Sequence, residues 1–213
     1  MEKVFWQDKW DKNELGFHRG SVNPLLEQNI QHLALNSSAR IFIPLCGKTL
    51  DISWLLSKGY AVVGAEMVEI AVMQLFNELG VTPQITHLGK LKRYSAEKLD
   101  IFVGDIFDLS KQEIGKVDAI YDRAALVALP VELRKQYSAH LIHITQHAPQ
   151  LLISFVYEQA MMSGPPFSVD DEEVHSHYAG FYTLKQTNSA KVTEPVKGHD
   201  QILENVWILE SNT

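Results

Sequence analysis

The segment of residues 40–66 constrains the fold more than any other part of the sequence. It opens with a short, nearly uniform apolar run and a turn that contains Gly47, which is typical of a strand buried on both faces. The apolar-faced run that follows predicts a helix, which Thr49 can cap and Gly59 can end. A second apolar run closes with one carboxylate, Glu66. The segment therefore predicts a strand, a turn, a helix and a second strand that delivers an acid.

The spacing of this turn and this acid indicates a nucleoside ligand. Gly47 and Glu66 are nineteen positions apart, close to the roughly 20 residues at which a Rossmann-type unit presents an acid to a ribose hydroxyl. A phosphate-binding P-loop would need glycine where Phe42 stands, and a dinucleotide fold would need two further glycines in the turn. A ligand with ribose but no phosphate, such as S-adenosylmethionine, fits better. The alternative is an ordinary strand-to-helix turn with Glu66 as a solvated strand end.

Length, charge and cysteine content narrow the class of protein. With 213 residues and 46% hydrophobic content, we expect one α/β domain over residues 1–213. The net charge of -7 and the absence of a basic block longer than residues 90–93 argue against a nucleic-acid partner. Cys46 cannot form an internal disulfide, residues 1–10 are too charged for a signal peptide, and no apolar run approaches the roughly 18 residues of a membrane span. We expect a cytoplasmic monomer.

The N-terminal residues are unusually aromatic. The aromatic side chains within thirteen positions are Phe5, Trp6, Trp10 and Phe17. Trp6 and Trp10 would share one face of a helix. We expect residues 1–22 to form a flap over the turn at Leu45 and to enclose the ligand. The alternative is that these rings only cap the domain core.

Further strand-like segments end in polar residues. Asp105 follows one of them, where it could meet an adenine amino group while Ile106 packs on the ring. Asp122 and Arg123 end the next. Because ligands of open α/β sheets bind outside the carboxyl ends of the strands, we expect Glu66, Asp105 and Arg123 to converge. The alternatives are a turn-forming Asp105 and a surface ion pair between Asp122 and Arg123.

Other chemistries are weakly supported by the residue pattern. The three histidines at positions 140, 143 and 147 lie on roughly one side of a predicted helix, but no acid is interleaved as in zinc hydrolases, and we expect no metal. No Gly-x-Ser-x-Gly elbow is present, which argues against a serine hydrolase. Cys46 lies in an apolar turn and is better explained as a small packing residue than as a nucleophile. Residues 81–98 predict a strand and a surface hairpin.

Several short segments together resemble the thiopurine S-methyltransferase family. The resemblance extends from about residue 5 to residue 209. The matching segments are Phe5-Trp6 with Trp10, Gly16-Phe17-His18, Pro44-Leu45-Cys46-Gly47-Lys48, Val63-Gly64-Ala65-Glu66, Ile106-Phe107-Asp108, Tyr121-Asp122-Arg123-Ala124-Ala125-Leu126 and Gly164-Pro165-Pro166-Phe167. The resemblance implies a Rossmann-like class I methyltransferase fold. Its sheet would have seven mostly parallel strands with the last strand antiparallel, and helices on both faces.

The resemblance also implies which residues form the site. S-adenosylmethionine would be bound by the residues that match family positions, with Trp6 nearby: Trp10, Leu45, Glu66, Ile106 and Arg123. Phe17 matches the position that the family uses beside its aromatic acceptor. One departure concerns the acceptor, because some relatives carry a further arginine in the C-terminal third and no arginine follows Arg134 here.

The expected activity is transfer of a methyl group from S-adenosylmethionine to the sulfur of a small aromatic or heterocyclic thiol such as a thiopurine. Selenium and tellurium are further candidate acceptor atoms. Arg123 could stabilise or polarise an anionic acceptor, and Asp122 or water could take any proton, so these two residues are the catalytic candidates. The alternatives are a methyltransferase for a different small nucleophile and a non-catalytic adenosine-binding module.

Overall fold

The structure is a computed structural model that describes residues 3–16 and 18–212 of the chain. The strands among these residues are β1 (Arg40–Ile43), β2 (Ala61–Glu66), β3 (Gln84–Leu88), β4 (Leu91–Ala96), β5 (Leu99–Val103), β6 (Ala119–Arg123), β7 (Gln150–Val156), β8 (Tyr182–Lys191) and β9 (Leu203–Ser211). The α-helices are α1 (Lys3–Asp11), α2 (Pro24–Asn29), α3 (Leu50–Ser57), α4 (Glu69–Glu78), α5 (Lys111–Ile114), α6 (Val131–Thr145) and α7 (Asp171–Tyr178). Short 3-10 turns lie at Ile30–Leu33, Ile106–Asp108, Leu126–Ala128 and Gln159–Met161.

All of these strands belong to one sheet, in the order β3-β4-β5-β2-β1-β6-β7-β9-β8. The five central strands, from β5 to β7, are parallel. The last strand, β9, runs antiparallel between β7 and β8, as predicted. The predicted number of strands is wrong, because the described residues form nine strands rather than seven. The two additional strands, β3 and β4, form the hairpin predicted for residues 81–98, and β4 extends the sheet by pairing antiparallel with β5.

Local sequence signals explain how the central unit folds. Thr49 caps α3 by accepting a hydrogen bond from the Asp51 amide. Gly59 follows the last turn of this helix with φ +93°, a left-handed conformation that glycine adopts without steric cost. Asn23 caps α2 in the same way, with Pro24 at the first helical position. These caps place the start of α3 directly after the turn that follows β1.

Two apolar layers cover the faces of the sheet. Helices α2, α3 and α4 pack on one face, with Ile52, Leu55 and Phe76 in its core. Helices α6 and α7 pack on the other face, where Tyr137 and Tyr178 are fully buried. With its faces covered, the sheet leaves its strand ends as the place where polar side chains can meet a ligand. Among residues 3–16 and 18–212, no helix is long and apolar enough to span a bilayer.

Candidate active site

A cavity of about 710 Å³ opens at the carboxyl ends of β1, β2 and β6. Its wall combines the turn after β1, residues from the N-terminal segment, and the connection between β8 and β9 around Glu194. Most of the wall is apolar, and Phe155, Pro165 and Pro166 belong to it. This volume lies within the range of small-molecule sites, and the position is where open α/β sheets bind ligands.

The turn after β1 has an unusual backbone that brings an indole close to it. Leu45 and Gly47 both adopt left-handed conformations, with φ +47° and +52°. A Cβ atom at position 47 would lie 3.2 Å from Cζ2 of Trp10, so the indole packs directly over the turn. Leu45 has no such freedom, and a non-glycine residue in this region costs about 1–3 kcal/mol. Strain of this kind is concentrated at binding sites, and both residues line the cavity.

Glu66 ties this turn to the end of β2. Its side chain is buried, with 7% exposure. Oε2 accepts a hydrogen bond from the Gly47 amide at 2.8 Å, and Oε1 accepts one from the Val68 amide at 2.8 Å. Burial raises the pKa of Glu66, and the hydrogen bonds from the two amides oppose this shift. Because each carboxylate oxygen can accept more than one hydrogen bond, the cavity side of Glu66 can still bind a ribose diol.

Helix α1 covers the cavity. Trp10 is buried, with 3% exposure, and packs against Met67, Val68 and Ala71 at the start of α4. Trp6 is partly buried beside it and also lines the cavity. Trp10 therefore belongs both to a small apolar cluster and to the cavity wall. The two alternatives for the N-terminal aromatic residues, a flap over the ligand and a cap on the core, are compatible for this residue. Phe17, predicted to contact the acceptor, lies outside the described residues.

The two catalytic candidates on β6 lie in different environments. Arg123 lines the cavity, whereas Asp122 is fully buried and does not. The Tyr137 hydroxyl donates to Asp122 Oδ2 at 2.7 Å, and the Leu126 amide donates to Oδ1 at 3.1 Å. Burial raises the pKa of Asp122 to about 6. Successive residues of a strand point to opposite faces, so Arg123 reaches the cavity and Asp122 reaches α6.

The structure does not bring Asp105 and Ile106 to the cavity. Asp105 caps the 3-10 turn that follows β5 by accepting a hydrogen bond from the Phe107 amide at 3.1 Å. Ile106 is buried in the core on the α6 side of the sheet, with 2% exposure. Of the three strand ends expected to converge, those carrying Glu66 and Arg123 meet at the cavity. The adenine contact of Asp105 and Ile106 stays a prediction.

The sequence indicated no role for several polar residues of the cavity wall, among them Tyr121, Asp51 and His18. Tyr121 donates to Asp51 Oδ2 at 3.0 Å, and Asp51 Oδ1 accepts from the Asn23 amide at 2.8 Å. His18 also lines the cavity, and burial, followed by the charge of Lys48, lowers its pKa. Tyr121 could have been found from the sequence, because it shares a strand face with Arg123. Asp51 and His18 reach the cavity through tertiary packing.

The histidines considered as metal ligands and the cysteine considered as a nucleophile make contacts within the protein. His140 Nε2 lies 2.8 Å from the Ile106 carbonyl oxygen, and His147 packs on Phe181. No group of three metal-binding side chains occurs among residues 3–16 and 18–212. Cys46 is buried against Gly64, where an added Cβ atom would lie 2.8 Å from its sulfur. Burial and the neighbouring Glu66 raise the pKa of the Cys46 thiol, which opposes formation of a thiolate.

Comparison with known proteins places this site in a family. The model of the thiopurine S-methyltransferase family matches residues 1–212. The chain belongs to this family. A thiopurine S-methyltransferase from Xanthobacter autotrophicus is 47% identical over 211 residues, covering 99% of both chains. Another from Gluconobacter oxydans is 46% identical over 204 residues, covering 96% of this chain and 93% of the relative. The protein is therefore an S-adenosylmethionine-dependent methyltransferase.

A solved structure supports the fold. The 1,6-didemethyltoxoflavin-N1-methyltransferase of Burkholderia thailandensis, solved with 1,6-didemethyltoxoflavin and S-adenosylhomocysteine, matches with a TM-score of 0.67. The match covers 99% of this chain and 87% of that protein at 14% identity, which shows the class I methyltransferase fold and no more. The nine-stranded sheet of the present chain contains the predicted seven strands, extended by β3 and β4.

Proposed function

We propose that this enzyme transfers the methyl group of S-adenosylmethionine to the sulfur of a small aromatic or heterocyclic thiol, such as a thiopurine. The observation that carries the proposal is the buried Glu66 carboxylate at the end of β2, next to a turn covered by Trp10. Family membership supports the same reaction. Selenols and tellurols are further candidate acceptors, because they are also soft, readily ionised nucleophiles.

The residues around the turn fit S-adenosylmethionine. The free lone pairs of Glu66 can accept the ribose hydroxyls, and Leu45 and Gly47 line the cavity beside this carboxylate, where the nucleoside would lie. When bound, S-adenosylmethionine supplies an electrophilic methyl group on a positively charged sulfonium. The indoles of Trp6 and Trp10 line the cavity, where aromatic rings can attract this cation and can exclude water.

The remaining cavity wall positions the acceptor. Phe155, Pro165 and Pro166 offer an apolar surface for an aromatic ring, and Arg123 offers a cation. The acceptor sulfur forms a bond to the methyl carbon as the bond from that carbon to the sulfonium breaks. The acceptor gives its proton to solvent before this step. The protein contributes alignment and exclusion of water, which can account for a large share of the rate enhancement.

The acceptor is expected to be an anion when it reacts. Asp122, the carboxylate considered as a proton acceptor, faces α6 rather than the cavity. The nearby Cys46 and Tyr121 have raised pKa values because they are buried, so neither is a base near neutral pH. An acceptor that ionises in water needs no such base. Aromatic and heterocyclic thiols meet this condition better than alcohols or amines.

Domain organisation, oligomeric state and location are part of the same proposal. We infer that residues 1–213 work as one domain, with residues 1–22 as the flap, and that the enzyme is a cytoplasmic monomer without a nucleic-acid partner. The net charge of -7 supports the last point. Gel filtration with light scattering of the purified chain, with and without S-adenosylhomocysteine, checks the oligomeric state.

The test is methyl transfer from labelled S-adenosylmethionine to a matched acceptor series. Thiophenol, selenophenol, aniline and phenol carry the same ring and differ in the nucleophile. We expect transfer to thiophenol and selenophenol, and no transfer to phenol. The rate with each thiol should follow its ionised fraction, so a thiol of lower pKa reaches its plateau at lower pH. Faster transfer to aniline or phenol than to thiophenol would contradict the proposed acceptor.

A further inference from the structure

Arg19 lies in the cavity wall with an incomplete set of hydrogen bonds. It belongs to the short segment between α1 and α2, and its side chain is 19% exposed. Its Nε atom is buried and has no hydrogen-bond partner among residues 3–16 and 18–212. Its Nη2 atom lies 3.9 Å from Glu194 Oε2, too far for a hydrogen bond. A buried guanidinium normally has its donors satisfied, so this arrangement calls for another acceptor.

Arg134 shows what a completed site of this type looks like in the same molecule. Its Nε donates to Glu173 Oε1 at 2.5 Å, and its Nη2 donates to Oε2 at 2.9 Å. This paired geometry is the strong way in which arginine holds a carboxylate. Arg19 presents the same two donors, Nε and Nη2, but neither has an anion at hydrogen-bonding distance. The comparison indicates room for an external anion at Arg19.

Glu194 is a weak partner for Arg19. Its side chain is 77% exposed and therefore well hydrated. Exposed ion pairs contribute at most about 1 kcal/mol. Glu194 belongs to the connection between β8 and β9, which lines the cavity. An anion that enters the cavity can replace this contact at little cost.

The charges around Arg19 also favour an anion. Arg123 lines the same cavity, and so does Glu204, a buried carboxylate on β9. Burial raises the pKa of Glu204, and the positive charges of Arg123 and Arg19 oppose that shift. An anion that enters the cavity therefore meets two guanidinium groups in its wall.

We propose that Arg19 is a specificity-determining residue that binds the anionic group of the acceptor, and that the acceptor displaces Glu194. This inference rests on the proposed S-methyl transfer. The anionic group is either the thiolate that reacts or a carboxylate carried on the acceptor ring. Both are anions that the Nε and Nη2 donors can hold together or singly.

Binding without turnover tests the inference. Calorimetry measures the affinity of three thiols for the protein saturated with S-adenosylhomocysteine: 4-mercaptobenzoate, thiophenol, and benzyl mercaptan, which is mostly neutral near pH 7.5. The variants are Arg19→Gln, Arg19→Lys and Glu194→Gln. Lys12→Gln is the matched control, because it also removes one cation of an ion pair, at a site outside the cavity wall. Affinity for S-adenosylhomocysteine reports whether each variant is folded.

Arg19→Gln should weaken binding of 4-mercaptobenzoate about tenfold or more and change benzyl mercaptan less than about twofold. A matching loss for thiophenol assigns the thiolate as the bound group, and an unchanged thiophenol affinity assigns the ring carboxylate. Arg19→Lys should retain part of the affinity, and Glu194→Gln should strengthen binding of the anions. Equal changes for anionic and neutral thiols, no change for any, or no binding of either anion by the unmodified enzyme would overturn the inference. Absence of methyl transfer to every thiol would instead overturn the proposed function.

Discussion

Two buried carboxylates, Glu66 and Asp122, lie at or near the ends of β2 and β6, two strands in the parallel centre of the same sheet. Each accepts two hydrogen bonds, and burial raises the pKa of each. Their surroundings differ. Glu66 lines the cavity and accepts hydrogen bonds from the amides of Gly47 and Val68. Asp122 lies on the α6 side of the sheet and accepts hydrogen bonds from the Tyr137 hydroxyl and from an amide in the turn after β6.

This difference arises from which side of the sheet each residue faces. Asp122 precedes Arg123, the residue of β6 that reaches the cavity, and side chains alternate along a strand. Glu66 is therefore placed to contact a ligand, whereas Asp122 forms hydrogen bonds inside the protein. The comparison predicts that changes at Glu66 affect binding and that changes at Asp122 affect stability.

The largest expected effect is the pH dependence of stability from Asp122. Its pKa rises from the ordinary 3.8 to about 6 on folding, so the folded state holds an extra proton between these values. The stabilisation is complete below about pH 3.8 and is lost as the pH rises through about 6, a total of ~3 kcal/mol. In Asp122→Asn this loss should vanish. Urea unfolding of the enzyme and of Asp122→Asn from pH 3.5 to 7.5 measures the loss as the change with pH in the difference between their free energies of unfolding, and parallel curves would contradict it.

The next effect is on cofactor affinity. Glu66→Gln removes the charge and one hydrogen-bond acceptor, and should weaken binding of S-adenosylhomocysteine about thirtyfold, or ~2 kcal/mol. Asp122→Asn is the control and should change this affinity less than about twofold. Calorimetry measures both. An equal loss of affinity in the two variants would contradict the distinction, because it would show that Asp122 also affects cofactor binding.

A smaller effect concerns the turn that Glu66 holds. Gly47→Ala combines a left-handed backbone with a close approach to Trp10, and should cost about 1–2 kcal/mol of stability and several-fold in cofactor affinity. Gly80→Ala is the control, because Gly80 also has a positive φ, +67°, has nothing within 4 Å of an added Cβ atom and lies away from the cavity. It should lose similar stability with unchanged affinity. Loss of affinity in both variants would trace the effect to general destabilisation.

The smallest effect concerns the hydrogen bond that the Tyr137 hydroxyl donates to Asp122. Tyr137→Phe should cost about 1 kcal/mol of stability. It should also raise the pKa of Asp122 further, because the lost hydrogen bond favoured the charged carboxylate. The fall in stability should therefore extend to higher pH, while cofactor affinity stays constant. A shift of this fall to lower pH would contradict the assigned role of the Tyr137 hydroxyl.

The sequence predicted the features of the site that depend on local signals. The cap at Thr49, the helix end at Gly59 and the acid at Glu66 are all defined within one short segment, and the structure contains each of them. Hydrophobic patterning predicted the buried strands, and the resemblance to the family implied the mostly parallel sheet with an antiparallel last strand. The hairpin at residues 81–98 was predicted, but its pairing with β5 is a tertiary contact that no local pattern reveals.

The features that sequence reasoning missed depend on side-chain direction and on distant contacts. Asp105 has the same pattern as Glu66, and its carboxylate caps a 3-10 turn, which agrees with the alternative of a turn-forming residue; its adenine contact stays a prediction. No local sequence pattern identifies Arg19, because Glu194, the carboxylate beside it, is distant in the chain. Asp122 was considered beside Arg123, although alternation along β6 separates them. Applying that alternation to each strand end would have identified Tyr121 as well.

The central claim is that S-adenosylmethionine binds at the carboxyl ends of β1 and β2 under α1. Hydrogen exchange of the whole chain with and without S-adenosylhomocysteine tests this most directly. We predict slower exchange with ligand in α1 and in the turn at residues 45–49, and unchanged exchange in the β3–β4 hairpin. Unchanged exchange in both α1 and this turn, with protection appearing elsewhere, would contradict the account.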